Sequence, residues 1–312
     1  MSKKELSSFA WRAYKFSLKL AKQANFDLAH GFFSFPAGVS CLLLRWRKKI
    51  PFLVSMQIED LFARIGKIAS YLLKKTWKNA YFLVANKIKL RDMIAEADPQ
   101  KEITIISKGI DVESFFSDKN KRHENDFMIL CDCPVTPIRG VRFLVQAFKL
   151  LAGRYEQVRL VVIGEGNDRK SLMDLTQALD INDKVVFLGE IPAADVLHYY
   201  QTADVFVSPS IDEQADNGAF VRKALATGLS IVSTKVNGVE ELVFEGENGL
   251  FVAQKSADDL AEKIEKILLN NEFKNLMEKN SLELAQKLSW ENNAKQYFDL
   301  YTKTKNIASI EQ

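Results

Sequence analysis

Two glycine turns in this 312-residue chain have the residue types and spacing to hold an anion. Val162-Ile163-Gly164-Glu165-Gly166 ends an apolar run and opens a helical pattern, so backbone N–H groups and a helix N-terminus converge there. The same glycines also suit a tight strand-to-helix turn that binds nothing, because glycine takes positive φ at no steric cost. Pro137-Ile138-Arg139-Gly140-Val141 forms a second turn of this kind. Arg139 there stands at the start of a helix, where its charge opposes the helix dipole unless an anion is bound. A solvent-facing arginine is the other reading of that position. Cys131 and Cys133 lie on one side of a strand, but no second ligand pair makes them a metal site, so they and Cys41 read as reduced thiols of a cytoplasmic protein.

The elements that must position these turns alternate between short β-rich runs and amphipathic helical stretches, the sequence form of parallel βαβ units. Strands are predicted near 26–32, 51–56, 80–85, 102–106, 127–132, 158–163, 184–188, 204–207, 230–234 and 249–252. Helices over 141–152, 168–179, 193–201 and 217–227 complete a doubly wound second half. Ser117 to Asn125 is wholly polar and the apolar rhythm restarts at Phe127, which places a linker there. The expected division is a domain over 1–117, a second over 118–289, and a C-terminal helix over 290–312 that packs back on the first. From Ala257 to Thr304 the tail reads as helical, with Trp290 and Tyr297 on one face.

With 47% hydrophobic and 27% charged residues the chain has the composition of a globular protein. Its 43 basic and 40 acidic residues leave a net charge of +3, which argues against nucleic acid as a partner. No apolar run approaches the roughly 20 residues that span a bilayer, and the N-terminus lacks the apolar core of a signal peptide. The first helix carries Lys3, Lys4, Arg12, Lys15, Lys19 and Lys22 with Phe9, Trp11, Phe16 and Leu20. It suits either anionic lipid, making the protein membrane-peripheral, or packing on the first domain with its charges in solvent.

Read in order, Phe26-Asp27-Leu28-Ala29-His30, Ile50 through Ser55, Gly109-Ile110-Asp111, Thr136 through Gly140, Val161 through Gly166, Val207-Ser208-Pro209-Ser210, Ala224 through Gly228 and Gly246 through Leu250 resemble the retaining group-one, family-four glycosyltransferases. The set is specific in its order although each motif alone is weak. The resemblance implies an α/β protein of the GT-B fold: two Rossmann-like, doubly wound parallel-sheet domains facing a cleft. It further implies transfer of a hexose, with retention, from a nucleotide-sugar donor held mainly by the C-terminal domain. The acceptor lies on the N-terminal side, and neither metal nor other cofactor is needed. On this pattern Arg139, Gly140, Gly164, Glu165, Gly166, Lys108 and Lys223 face the donor, and His30, Gln57 and Glu59 line the acceptor side. His30 keeps a second reading as a structural imidazole, because its usual companion position is Phe32; His123 and His198 read as structural.

The chain departs from the family pattern where the chemistry is expected. An arginine and a lysine that neutralise the donor diphosphate correspond to Pro134 and Arg139, so one cation remains. Two glutamates, one near the transferred sugar and one on the ribose, correspond to Ala215 and Lys223. A hydrogen-bond acceptor is thereby replaced by a cationic donor. Gln57-Ile58-Glu59-Asp60 and Ser107-Lys108-Gly109 replace the usual acceptor-side turns, and the first βα elements of a full N-domain are missing, so that domain reads as truncated and a protein partner could cover it. Two functions remain open: a transferase impaired or inactive in its family reaction, and a non-catalytic GT-B scaffold. The scaffold would be a partner subunit or a repurposed cleft, lined by Glu59, Asp132, Cys133, Asp212, Glu213, Asp216 and Lys223, for another small molecule. Gly140, Gly164, Gly228, Gly238 and Gly249 all survive, as they would if change were confined to ligand positions.

Overall fold

The computed structural model describes residues 3–56, 67–97, 102–122, 126–212, 218–236 and 238–310. Its strands are β1 (Ala29–Phe32), β2 (Phe52–Met56), β3 (Leu83–Ala85), β4 (Ile103–Ile105), β5 (Phe127–Asp132), β6 (Val158–Ile163), β7 (Val185–Gly189), β8 (Val205–Ser208), β9 (Ser230–Thr234) and β10 (Gly249–Val252). The α-helices are α1 (Lys3–Leu20), α2 (Val39–Lys48), α3 (Lys67–Asn79), α4 (Ile88–Ala97), α5 (Val141–Ala152), α6 (Arg169–Ala178), α7 (Ala193–Thr202), α8 (Ala219–Ala226), α9 (Ala257–Leu268), α10 (Asn271–Lys287) and α11 (Trp290–Ile310). Each strand falls within a residue or two of its predicted run except at the starts of β1 and β3. There Phe26 and Asp27 are exposed, and ladder pairing begins only at Ala29 opposite Phe52 and at Leu83 opposite Val54.

Two compact units form, one from Met1–Lys108 with Glu291–Gln312 and the other from Gly109–Trp290. The first holds a parallel sheet of order β1-β2-β3-β4. Phe52, Val54 and Met56 of β2 are buried with Leu73 and Trp77 of α3 and Leu90 and Ile94 of α4. Leu53 points to the opposite face, where it meets Val84, Ile106 and Leu300 of α11. Strand alternation thus fills two separate cores.

The second unit holds a six-stranded parallel sheet of order β10-β9-β8-β5-β6-β7. Ile129, Cys131, Leu160, Val162, Val205 and Val207 face one core, while Leu130, Val161, Ile163 and Phe206 face the other. Helix α5 forms because Val141, Leu144, Val145, Phe148 and Leu151 recur at helical spacing and all are buried. Burying Phe148 completely contributes about 2–3 kcal/mol. Order reverses between β5 and β8, and this is the point where an open α/β sheet splays its loops into a crevice.

The polar stretch after Ser117 contains a 3-10 turn at Lys119–Lys121. Its polarity serves a buried carboxylate: Glu278 of α10 is fully buried and accepts from Lys119 Nζ at 2.6 Å and from the Arg122 guanidinium. The helical tail is three helices, with the Asn270 side chain capping α10 by accepting from Phe273 N–H at 2.9 Å. Where α11 begins, the Trp290 ring lies so close to Gly109 that a Cβ there would sit 2.4 Å from it. Among the described residues no helix is long and apolar enough to cross a membrane.

Candidate active site at the switch point of the second sheet

The loops after β5 and β8 are stitched together above the switch point. Ile211 N–H donates to Ile138 O at 2.9 Å. Gly140 has φ +69°, and a Cβ on it would meet Pro209 O at 2.0 Å. The glycine is therefore required twice, by its left-handed backbone and by a backbone neighbour that cannot move aside. Arg139 closes a 3-10 turn over Pro137–Arg139, and its guanidinium carbon stands 5.9 Å from the Phe220 ring centre.

Phe220 belongs to α8, which also carries Lys223 one turn on. The Lys223 ammonium is 5.2 Å from the Phe220 ring centre, 5.4 Å from that of Phe115 and 5.7 Å from that of Tyr200. It donates to Asp132 Oδ2 at 3.1 Å. Tyr200 Oη donates to the same oxygen at 2.9 Å. Asp132 ends β5 and is buried, so its carboxylate needs both donors. Burial pushes the Tyr200 hydroxyl pKa well up, and the adjacent Asp132 charge adds to the effect. Sequence reading named Asp132 and Lys223 but missed Tyr200, Phe115 and Phe220. One signal was available: a carboxylate closing an otherwise apolar strand must find a cation or a hydroxyl.

The turn after β6 is occupied by its own protein. A Cβ on Gly164 would lie 2.0 Å from Cys133 O, and one on Gly166 2.1 Å from Val135 O. The Gly164 amide donates to Gly189 O, and Glu165 O accepts from Val135 N–H at 2.8 Å. The Glu165 carboxylate is 3.4 Å from Arg169 Nε. Cys131 and Cys133 share a face with their sulfurs 3.8 Å apart, both reduced, and the hydrogen bond between them, with burial, pushes the Cys131 thiol pKa well up. Lys108 is exposed at the end of the first unit's main segment. Gln57, Glu59, His123, Glu213, Ala215 and Asp216 lie outside the described residues.

In the first unit His30 sits inside β1 between two hydroxyls. Its Nδ1 is 2.8 Å from Tyr301 Oη and its Nε2 2.8 Å from Ser55 Oγ, which is itself 3.0 Å from Tyr297 Oη. The Phe32 ring lies 4.1 Å away. Burial lowers the imidazole pKa from 6.5 to about 4, so it is neutral at pH 7. Nδ1 thereby ties β1 to α11, and Nε2 ties it to Ser55 of the neighbouring β2.

Two parallel α/β sheets, the first smaller and the second reversing its strand order between β5 and β8, define a GT-B-like protein. Anabaena HepE, solved in complex with UDP, superposes with a TM-score of 0.71 at 18% identity, over 93% of this chain and 82% of that one. The glycosyl transferases group 1 family matches residues 112–284, more than half of the chain, and the chain belongs to that family. It is 29% identical over 243 residues to a D-inositol 3-phosphate glycosyltransferase of Corynebacterium urealyticum, covering 72% of this chain and 57% of that one. An alpha-monoglucosyldiacylglycerol synthase of Streptococcus pneumoniae is 24% identical over 246 residues, 72% of this chain and 55% of its own. The chain thus spans little more than half the length of either curated relative.

Proposed function

We propose that the protein is a glycosyltransferase built to take a nucleotide-sugar donor at the switch-point crevice, with Arg139 and Gly140 beside the diphosphate, and that its transfer is impaired. One observation carries the impairment. By the family resemblance Lys223 stands where a glutamate accepts from the donor's ribose, and here its ammonium is committed to Asp132 within a ring of Phe115, Tyr200 and Phe220. A ribose hydroxyl there finds a donor in place of an acceptor, and displacing Lys223 would strip a buried carboxylate of one of its two partners. Pro134 supplies no charge where the family pattern has arginine. Loss of one charge-stabilising donor costs about 3 kcal/mol in the transition state.

A non-catalytic scaffold is the second reading, and the glycines favour it. Gly140, Gly164 and Gly249 are each held by backbone oxygens 2.0 to 2.5 Å from a would-be Cβ, so the frame is kept while the ligand positions have changed.

Calorimetric titration with UDP and turnover assays with UDP-glucose test both readings. The native chain is expected to show binding at least tenfold weaker than a variant carrying Pro134→Arg, Ala215→Glu and Lys223→Glu with Asp132→Ala. The last change is required because Lys223→Glu alone would set two carboxylates against each other. Steady transfer by the native chain would refute impairment, and a restored variant that binds UDP without turnover would favour the scaffold.

A further inference from the structure

The near-neutral charge of the chain conceals a steep division. The unit formed by Met1–Lys108 with Glu291–Gln312 has 23 basic and 11 acidic residues, and Gly109–Trp290 has 20 and 29. The excess runs through the first 91 residues: from residue 61 to residue 91 there are eight lysines and arginines and no carboxylate, and from residue 6 to residue 58 there are eight against Asp27 alone.

That region also presents apolar side chains to water. Helix α1 packs on α2 through Ala10, which is buried and whose carbonyl accepts from Ser40 Oγ at 2.9 Å. Phe9, Phe16 and Leu20 recur at spacings of seven and four, one stripe along an edge of that packing face, and are 50%, 63% and 38% exposed. Trp11, 51% exposed, borders the other edge with Lys15 Nζ 5.2 Å from its ring centre. Between the two edges lie Arg12, Lys15 and Lys19, all exposed. At 100° per residue the helix therefore shows an arc of cations flanked by large rings. Helix α1 thus packs on the first unit, as one reading of the sequence expected, while Phe9, Trp11 and Phe16 stay at least half exposed.

We infer that the exposed face of α1 is a docking surface for an anionic phospholipid bilayer. An exposed stripe of phenylalanine and leucine is unfavourable in water and favourable at the headgroup–acyl boundary. The intervening lysines and arginine meet anionic headgroups at the same depth. A second copy of the chain is disfavoured as the occupant, because it would bring two strongly cationic units face to face.

The test is sedimentation of the full chain with vesicles, without nucleotide, so its outcome is independent of donor binding. Vesicles of phosphatidylcholine containing about one third phosphatidylglycerol are compared with phosphatidylcholine alone. The chain should pellet with the anionic vesicles, and added salt should release it. Phe9→Ser with Phe16→Ser should lower partitioning at least tenfold. Lys15→Glu with Lys19→Glu should do the same while circular dichroism and thermal unfolding stay unchanged; if the serine variant fails to fold, the charge-reversed one decides. Partitioning that ignores lipid charge, or that survives in the charge-reversed variant, overturns the inference. So does absence of pelleting, with or without a concentration-dependent dimer on gel filtration.

Discussion

Lys223 and His30 show how a residue's neighbours decide its chemistry. Each occupies a position read as facing a ligand, and each is engaged by its own fold: Lys223 by Asp132, His30 by Ser55 and Tyr301. The imidazole makes a measurable pH prediction. Unfolded, it takes up its proton near pH 6.5; folded, only near pH 4. Between those values the unfolded state binds more protons, so stability present above pH 6.5 is lost as the pH falls toward 4, by about 3 kcal/mol. His30→Gln, which keeps hydrogen-bonding capacity but does not titrate, should lose that share of the pH dependence in urea unfolding followed from about pH 7 to pH 4. An unchanged slope would mean the imidazole is solvated. The sequence marked His30 as a candidate and left two readings open, because its hydroxyl partner on α11 is 271 residues away and no local pattern announces it.

At the level of elements, the strands were legible and their partners less so. β6, Val-Arg-Leu-Val-Val-Ile, is apolar on both faces, as a central parallel strand must be, and is buried at every position but Arg159. β4 spans three residues and is buried only in part, so its edges were harder to place. Helix α11 joins the first unit through Leu300, Tyr297 and Tyr301. Ending the chain at Trp290 should expose Leu53, Val84 and Ile106 and leave His30 and Ser55 without their tyrosines. Hydrogen exchange in β1 to β4 should then accelerate at least tenfold while β5 to β10 keep their protection. Equal protection in both sheets would show that α11 contributes nothing to the first unit.

The whole molecule has two compact units, each with its own hydrophobic clusters on both sheet faces. Two cores of different size need not melt together. Scanning calorimetry should give a calorimetric enthalpy larger than the van't Hoff value, and a ratio of one would show a single cooperative unit. Charge is also a property of this scale. The opposite signs of the two units vanish in the total of +3, and only a division of the chain by its contacts reveals them.

Local physics determined what the sequence could show by itself: alternating apolar residues for the strands, helical spacing for α5, glycines where the backbone must turn left or approach another backbone, and the order of motifs that marks the group 1 glycosyltransferases. Tertiary structure decided which charges meet. Asp132 and Lys223 are 91 residues apart, and Glu278 takes its cations from more than 150 residues earlier. Ion pairs and hydrogen bonds act over about 3 Å in fixed directions, so they form only where the strand ends and helices have already been brought together. Spacing along the chain has no means of encoding that distance.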